Sequence, residues 1–400
     1  MNLLKSSYFN FTQDFFEKRI YPPQYKSICN TLNNEKFINP NFDINKADKK
    51  AINLIEFIPS FVKLELETEH LPLASFKYKY FKGFMCHLGG SNNLKDYMVK
   101  QLGKSGNKIT NRRLKRLESC FNIRYKTFLE DIDEEECQSL ISDLRTLIEK
   151  RFNQRGDKHS SLANWDFYKK STYQMIKDGK ACLFVIYSND EPIGISLDYI
   201  YQNIFESAIS SYNIDYSKYG LGNTIILKKL KWCFENGYAV FNMRYGDYPY
   251  KRYWCNNTFD YESHVVYNRK SLIQTIKAFL IKKKNQLLAY VIKNKDKLVL
   301  IKKIQSRLAK NNHTEDSLSN NSNSLIYIEI KENDVIKNTS SLLLDIDDEK
   351  NEFLRKYVYD FQYVNSARYD SVQVYCWNNK DGDIYGIKSN GKSVYFMLTV

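Results

Sequence analysis

The sequence predicts a mixed α/β fold, an α+β sheet layer with helices laid against it, and three stretches carry that prediction. "ACLFVIY" (181–187) and "IGISLDYI" (193–200), joined by a turn at "SNDEP", have the apolar and β-branched content of a hairpin. "YGLGNTIILKKLKWCFENG" (219–237) sets Gly220 and Gly222 ahead of an amphipathic helix that closes at Gly237. "YAVFNMR" (238–244) then reads as a further strand. Strand, glycine turn, helix and strand in succession form an α/β layer.

The remaining elements follow in chain order. "NLIEFIPSFVKLEL" (53–66) is strand-like, and "YKYFKGFMCHL" (78–88) is a strand entering the turn at Gly89 and Gly90. Ser91 is read as the N-cap of a helix over 92–102. "NKITNRRLKRLESC" (107–120) is a basic helix and "NIRYKTFL" (122–129) a strand. "DEEECQSLISDLRTLIEKRFNQRG" (133–156) begins acidic and ends basic, the polarity a helix dipole favours, with Leu140, Leu144, Leu147 and Ile148 as its apolar stripe. Residues 165–178 read as a helix; 204–210 and 262–268 read as strands.

These elements set domain boundaries. Residues 1–105 are an N-terminal region and 106–268 the α/β domain. Residues 269–310 are a basic segment with thirteen Lys or Arg against Asp296 alone, most of the chain's net charge of +14. Its residues Ile273, Ile276, Leu280, Leu287, Val291, Leu298, Ile301, Ile304 and Leu308 recur at helical steps, with a break near 295–297. Residues 311–324 have linker composition, and 325–400 read as a small α+β domain with a helix over 349–362. The basic segment can lie on an anionic bilayer, grip RNA phosphates, or pack its stripe on the α/β domain.

Bulk composition narrows the function classes. A basic balance favours phosphate-bearing partners. The eight cysteines form no C-x-x-C and have no histidine at metal-ligand spacing, so no metal is expected and a reducing cytosol fits. No apolar run approaches the roughly 20 residues of a spanning helix, nor does "MNLLKSSYFNFTQDFF" hold a signal-type segment. The expectation is a cytoplasmic chain, peripheral at most to the inner face of a membrane.

The glycine turn is the leading functional element. A helix N-terminus offers unpaired N–H groups and partial positive charge, and glycines clear the approach for phosphate. A P-loop is excluded, because no G-K-[ST] follows. A Rossmann fingerprint fits poorly, since the third glycine is missing and hairpin strands precede it. Without further context a tight strand-to-helix turn explains these glycines equally well.

Four motifs resemble a known family. They are "YMVKQLGKSGNKITNRRLKRLE" (97–118), "DEPIGISL" (190–197), "YNIDYSKYGLGNTIILKKLKWCFENG" (212–237) and "FNMRYGDYPYKRYWCN" (241–256). Their order and spacing over about 170 residues resemble the CelD-like acetyltransferase domain of the GNAT superfamily, a relative of the Fem-type aminoacyltransferases. Gly246, Asp247, Tyr250, Lys251 and Trp254 match the family's F-D-F-G-x-G-D-x-x-Y-K-x-x-W signature. The resemblance implies a GNAT fold, with room for a degenerate N-terminal GNAT half in tandem. It also implies that Tyr219, Gly220, Leu221, Gly222, Asn223 and Thr224 receive the pyrophosphate of acetyl-CoA or another acyl-CoA. One departure is plain: the family's Gln or Arg three positions before the first glycine is Ser217 here, beside Lys218.

The implied reaction is acyl transfer to an amine on an amino sugar or glycolipid precursor of a surface polysaccharide. Asp247 is the candidate base or anchor and Tyr250 the candidate proton donor, each also readable as a turn or surface residue. Lys251, Arg113, His159 and Asp198 are the candidate substrate contacts; solvated charge, a loop histidine and a solvent-facing strand aspartate are the plainer readings. Direct transfer is expected, because no cysteine or serine sits beside a plausible base. A Fem-type transferase using aminoacyl-tRNA and a non-catalytic GNAT-fold binding module are the alternatives. The acceptor's identity and the oligomeric state are not fixed by these motifs.

Overall fold

The computed structural model describes residues 6–32, 34–40, 42, 51–293, 326–330, 341–378 and 382–399. The first elements are β1 (Ser6–Asn10), a π-helical segment (Phe11–Glu17), β2 (Tyr25–Asn30), β3 (Glu35–Ile38), β4 (Ile52–Pro59), β5 (Val62–Leu66) and β6 (Leu73–His87). Then come α1 (Leu94–Cys120), β7 (Ile123–Phe128), α2 (Glu134–Gln154), α3 (Trp165–Lys177), β8 (Ala181–Ser188), β9 (Glu191–Tyr201) and β10 (Ile204–Tyr212). A 3-10 turn (Ile214–Tyr219) leads into α4 (Leu221–Glu235), followed by β11 (Val240–Tyr245), α5 (Pro249–Trp254), β12 (Asn257–Asn268) and α6 (Leu272–Lys293). The last elements are β13 (Ile326–Ile330), β14 (Leu342–Leu344), α7 (Glu352–Asn365), β15 (Gln373–Trp377), β16 (Ile384–Ser389) and β17 (Lys392–Thr399).

Described residues of Met1–Gly90, Tyr199–Glu206 and Tyr238–Asp316 form one compact unit. Its main sheet runs β1-β4-β12-β6-β11-β10. β1 pairs β4 in parallel, the β4, β12, β6 and β11 contacts are antiparallel, and β10 pairs β11 in parallel. That last ladder has three pairs, Ile204 with Val240, Phe205 with Phe241 and Glu206 with Asn242. The core is aromatic, because "FNFTQDFF" folds its rings inward: Phe11, Phe15 and Phe16 are buried with Tyr25, Phe61 and Tyr261, and Phe11 stacks on Phe15 at 4.6 Å. A separate β3-β2-β5 sheet belongs to this unit.

Ser91–Asp198, Ser207–Gly237 and the described part of Ser317–Val400 form the second unit. Here β10, β9, β8 and β7 lie side by side. All eight residues of β8 are buried, which its unbroken apolar run demands of a strand covered on both faces. The two helices expected over 92–102 and 107–120 run end to end as α1, with a kink between them at Gly103, whose backbone leaves helical geometry at φ +67°. Its cap is Asn93 rather than Ser91: the Asn93 side chain accepts from the Asp96 N–H at 3.0 Å. The C-terminal strands form a five-stranded sheet, β13-β17-β16-β15-β14. α7 and this sheet share one core with the preceding helices, joining Leu354, Val358, Val374 and Phe396 to Leu117, Phe121, Tyr219, Leu221 and Ile225.

α6 forms over the first half of the basic segment. It does not bury the stripe that its periodicity suggests: Ala278 and Ile281 face the core, while Ile273, Ile276, Leu280, Leu287 and Val291 are exposed. The break near 295–297 and the 311–324 linker lie outside the described residues.

Candidate functional site

The glycine turn is built as its sequence requires. Gly220 has φ +69° and caps α4 with its carbonyl, which accepts from the N–H groups of Asn223 and Thr224 at 2.9 and 3.1 Å. A side chain there would sit in the disfavoured left-handed region. A Cβ on Gly220 would also meet Arg113 Cδ at 3.2 Å, and one on Gly222 would meet the Tyr212 ring at 2.8 Å. The turn therefore lies against Tyr212 on one side and Arg113 on the other. Arg113 Nε and Arg116 Nη1 are buried and have no hydrogen-bond partner among the described residues. Tyr219 and Leu221 are fully buried, Thr224 nearly so, and Asn223 is half-buried.

The turn is braced from behind by α7. Tyr219 Oη donates to the Tyr359 carbonyl at 3.1 Å, and Lys218 pairs with Asp360 at 3.2 Å. Two cavities of this unit lie nearby. One, of about 650 Å³, is lined by Glu118, Cys120, Glu191, Tyr216, Tyr359 and Tyr369 among others. The other, about 670 Å³, is an open groove whose charged lining is cationic throughout: Lys108, Arg112, Lys115 and Arg116. Neither includes residues 219–224 in its lining.

Asp198 has no path to solvent. It lies on β9 at 0% exposure beneath α4, and its Oδ1 meets Lys229 Nζ at 2.9 Å. Ser196 and Ser207 complete the cluster through the same ammonium, each at 2.9 Å. Burial pushes the Asp198 carboxyl up, and the Lys229 charge opposes that shift. Asp198 thus fixes α4 to the sheet. Lys229 lies four residues after Ile225 and four before Cys233, on the buried face of the helix, but nothing in the sequence pairs it with Asp198.

His159 caps the short turn at Ser160–Asn164: its Nδ1 accepts from the Ser161 N–H at 3.2 Å, and its ring meets Phe152 edge-on at 4.9 Å. Burial, with the Arg151 charge beside it, lowers its pKa.

The other signature residues follow β11. Asp247 is exposed and bound by Arg252 through two charged hydrogen bonds of 2.5 and 2.6 Å; that guanidinium holds its carboxyl below the usual range. A base so stabilised accepts a proton poorly. Tyr250 is exposed and stacks on Tyr248 at 5.9 Å. Trp254 is fully buried.

Lys251 is the unusual group of this segment. It is 4% exposed, and its Nζ donates to the main-chain carbonyls of Arg244 and Tyr245. Burial lowers its pKa to about 8. Beside it, Arg244 has φ +59° and binds Glu206 at 2.8 Å and Glu17 at 2.6 Å. Burial works against the Arg244 charge, and the two carboxylates outweigh it. This network escaped the sequence reading because its three charges are 38 or more positions apart in pairs that no periodicity links.

Residues 104–252 match the acetyltransferase (GNAT) domain family. Among solved structures the chain is similar to FemX, at 10% identity and TM-score 0.42 over 58% of this chain and 76% of that one. It is also similar to L-PGS from Bacillus licheniformis, at 12% identity and TM-score 0.37 over 58% and 73%. A GCN5-related N-acetyltransferase from Kribbella flavida follows at 10% identity and TM-score 0.28 over 54% and 67%. Likeness of this degree bears on neither substrate nor partner. No curated protein sequence matches the chain. The family match spans the basic helix, the hairpin, the glycine turn and the Asp247–Lys251 segment together: residues 104–252 match the acetyltransferase (GNAT) domain family.

Proposed function

We propose that the protein is an N-acyltransferase that moves an acyl group, acetyl in the first instance, from acyl-CoA to an amine by direct transfer. The acceptor class is an amino sugar or a glycolipid precursor of surface polysaccharide, as the CelD-like motifs imply. The observation that carries the reading is the α4 N-terminus inside a matched GNAT domain. Its leading N–H groups and dipole suit a pyrophosphate. Arg113, with a buried Nε awaiting an acceptor, supplies from α1 the cation that Ser217 fails to supply from the loop. Charge-assisted bonds to phosphate are about twice as strong as neutral ones.

Attack by an amine requires that its ammonium form lose a proton. Lys251, with its pKa lowered to about 8, fits that exchange better than Asp247. The nearby Cys255 thiol is pushed far up by Cys86 and by burial, so it is a poor nucleophile. The cation-lined groove of Lys108, Arg112, Lys115 and Arg116 favours the second reading, a polyphosphate donor such as aminoacyl-tRNA.

Calorimetry with acetyl-CoA, coenzyme A and bulk tRNA separates the readings. Micromolar binding of coenzyme A, weakened about tenfold or more in Arg113→Ala, is the expected result. Binding of tRNA without coenzyme A favours the aminoacyl donor, and binding of neither leaves a non-catalytic module.

A further inference from the structure

We propose that α6 is a docking helix for an anionic bilayer surface, lying in the interface with its outward stripe among the acyl chains. Three observations carry this, and none depends on the transferase reading. First, α6 is held to its unit by a narrow face. Ala278 and Ile281 join a core with Ile52, Tyr78, Val265 and Tyr267, and Asn285 Nδ2 donates to Tyr78 Oη at 3.1 Å. Second, the opposite face is apolar and bare. Ile273, Ile276, Leu280, Leu287 and Val291 recur at helical steps there, with Ile273 67% and Leu287 64% exposed. A contiguous apolar stripe of this kind marks an interaction surface rather than a solvated one. Third, the helix holds Lys277, Lys282, Lys283, Lys284 and Lys293 and no acidic residue. Lys277, Lys283 and Lys284 flank the stripe at 100° per residue, where their stems can run along lipid while the ammonium groups stay at headgroup level.

Charge decides among the possible occupants. A second copy seated on the stripe would bring one set of lysines against another. Residues 294–310 of the same chain add Lys295, Lys297, Lys302, Lys303, Arg307 and Lys310 against Asp296 alone, so they face the same repulsion. Nucleic acid would satisfy the lysines and leave the aliphatic stripe in water. An anionic bilayer satisfies both features at once. No described helix is long and apolar enough to cross a membrane, which fits a helix that lies in the interface.

The test is flotation of the full chain with vesicles of phosphatidylcholine alone or mixed equally with phosphatidylglycerol. The protein is expected to float with the mixed vesicles, to leave them at high salt, and to ignore phosphatidylcholine. Leu280→Glu with Leu287→Glu should abolish flotation while thermal melting stays unchanged, since both side chains are exposed. Lys283→Gln with Lys284→Gln should weaken partitioning about fivefold per lysine. No binding to mixed vesicles at low salt would overturn the proposal, as would binding indifferent to the two leucine substitutions. So would a sedimenting dimer that becomes monomeric in the same double variant, because the stripe would then belong to a second copy. Acyl transfer to a soluble amine is unaffected by these changes, so its presence or absence is judged separately.

Discussion

At the scale of single residues, burial separates groups that look alike in the sequence. Asp198 lies within a strand and Asp247 two residues beyond one, and the first is sealed under α4 while the second is exposed and bound to Arg252. The sequence places Asp198 on the hairpin's second strand and Asp247 in a turn after a strand; it could not show which had a cation above it. Removing one half of the sealed pair strands the other charge. Asp198→Ala should therefore cost about 3–5 kcal/mol by urea unfolding, while Asp198→Leu with Lys229→Met should cost far less. Equal losses in the single and double variants would show that the pair does not act as a unit. Lys251 carries the pH signature. Burial lowers its pKa to about 8 from 10.5, so between these values the unfolded chain binds the extra proton and stability climbs with pH. Lys251→Met removes that climb, so its urea midpoint should fall behind the wild type on going from pH 8 to pH 10. The same change should erase a rate limb near pH 8, measured as kcat/KM with a soluble amine.

At the scale of elements, the 165–178 helix and α4 were legible from their helical periodicity, and the hairpin from two unbroken apolar runs either side of a turn. Boundaries were less so. Gly103 leaves helical geometry and kinks α1 between the two helices that the sequence marks; composition does not reveal that the second begins at the kink rather than at 107. The turn into α4 lies at the glycines that the sequence marks, and its neighbours Tyr212 and Arg113 come from other elements, a juxtaposition that the sequence does not show. Gly220→Ala forces a Cβ into the left-handed region and toward Arg113. It should cost about 1–2 kcal/mol from the backbone alone, and it should lower affinity for coenzyme A more than it lowers the melting temperature. A variant that melts early yet binds coenzyme A normally would assign the glycine to packing only.

At the scale of the whole molecule, the chain threads between its two units. Strands β9 and β10 contribute residues to both, and the C-terminal α7 returns to a core begun at Leu117. The C-terminal sheet with α7 is the small α+β domain expected there, while the core it shares with α1 and α4 is a long-range return that windows of ten or twenty residues cannot show. The Arg244 network extends the point. Its second carboxylate comes from Glu17, near the start of the chain, whereas Arg244 sits inside the span that matches the family. A polypeptide trimmed to 104–252 would keep Arg244 and Glu206 yet forfeit Glu17, β4, β6 and β12. Its β11 edge would be bared and its guanidinium half-neutralised, and light scattering on expression should report aggregates. For this chain the unit of heredity that a family match delimits is smaller than the unit that can fold.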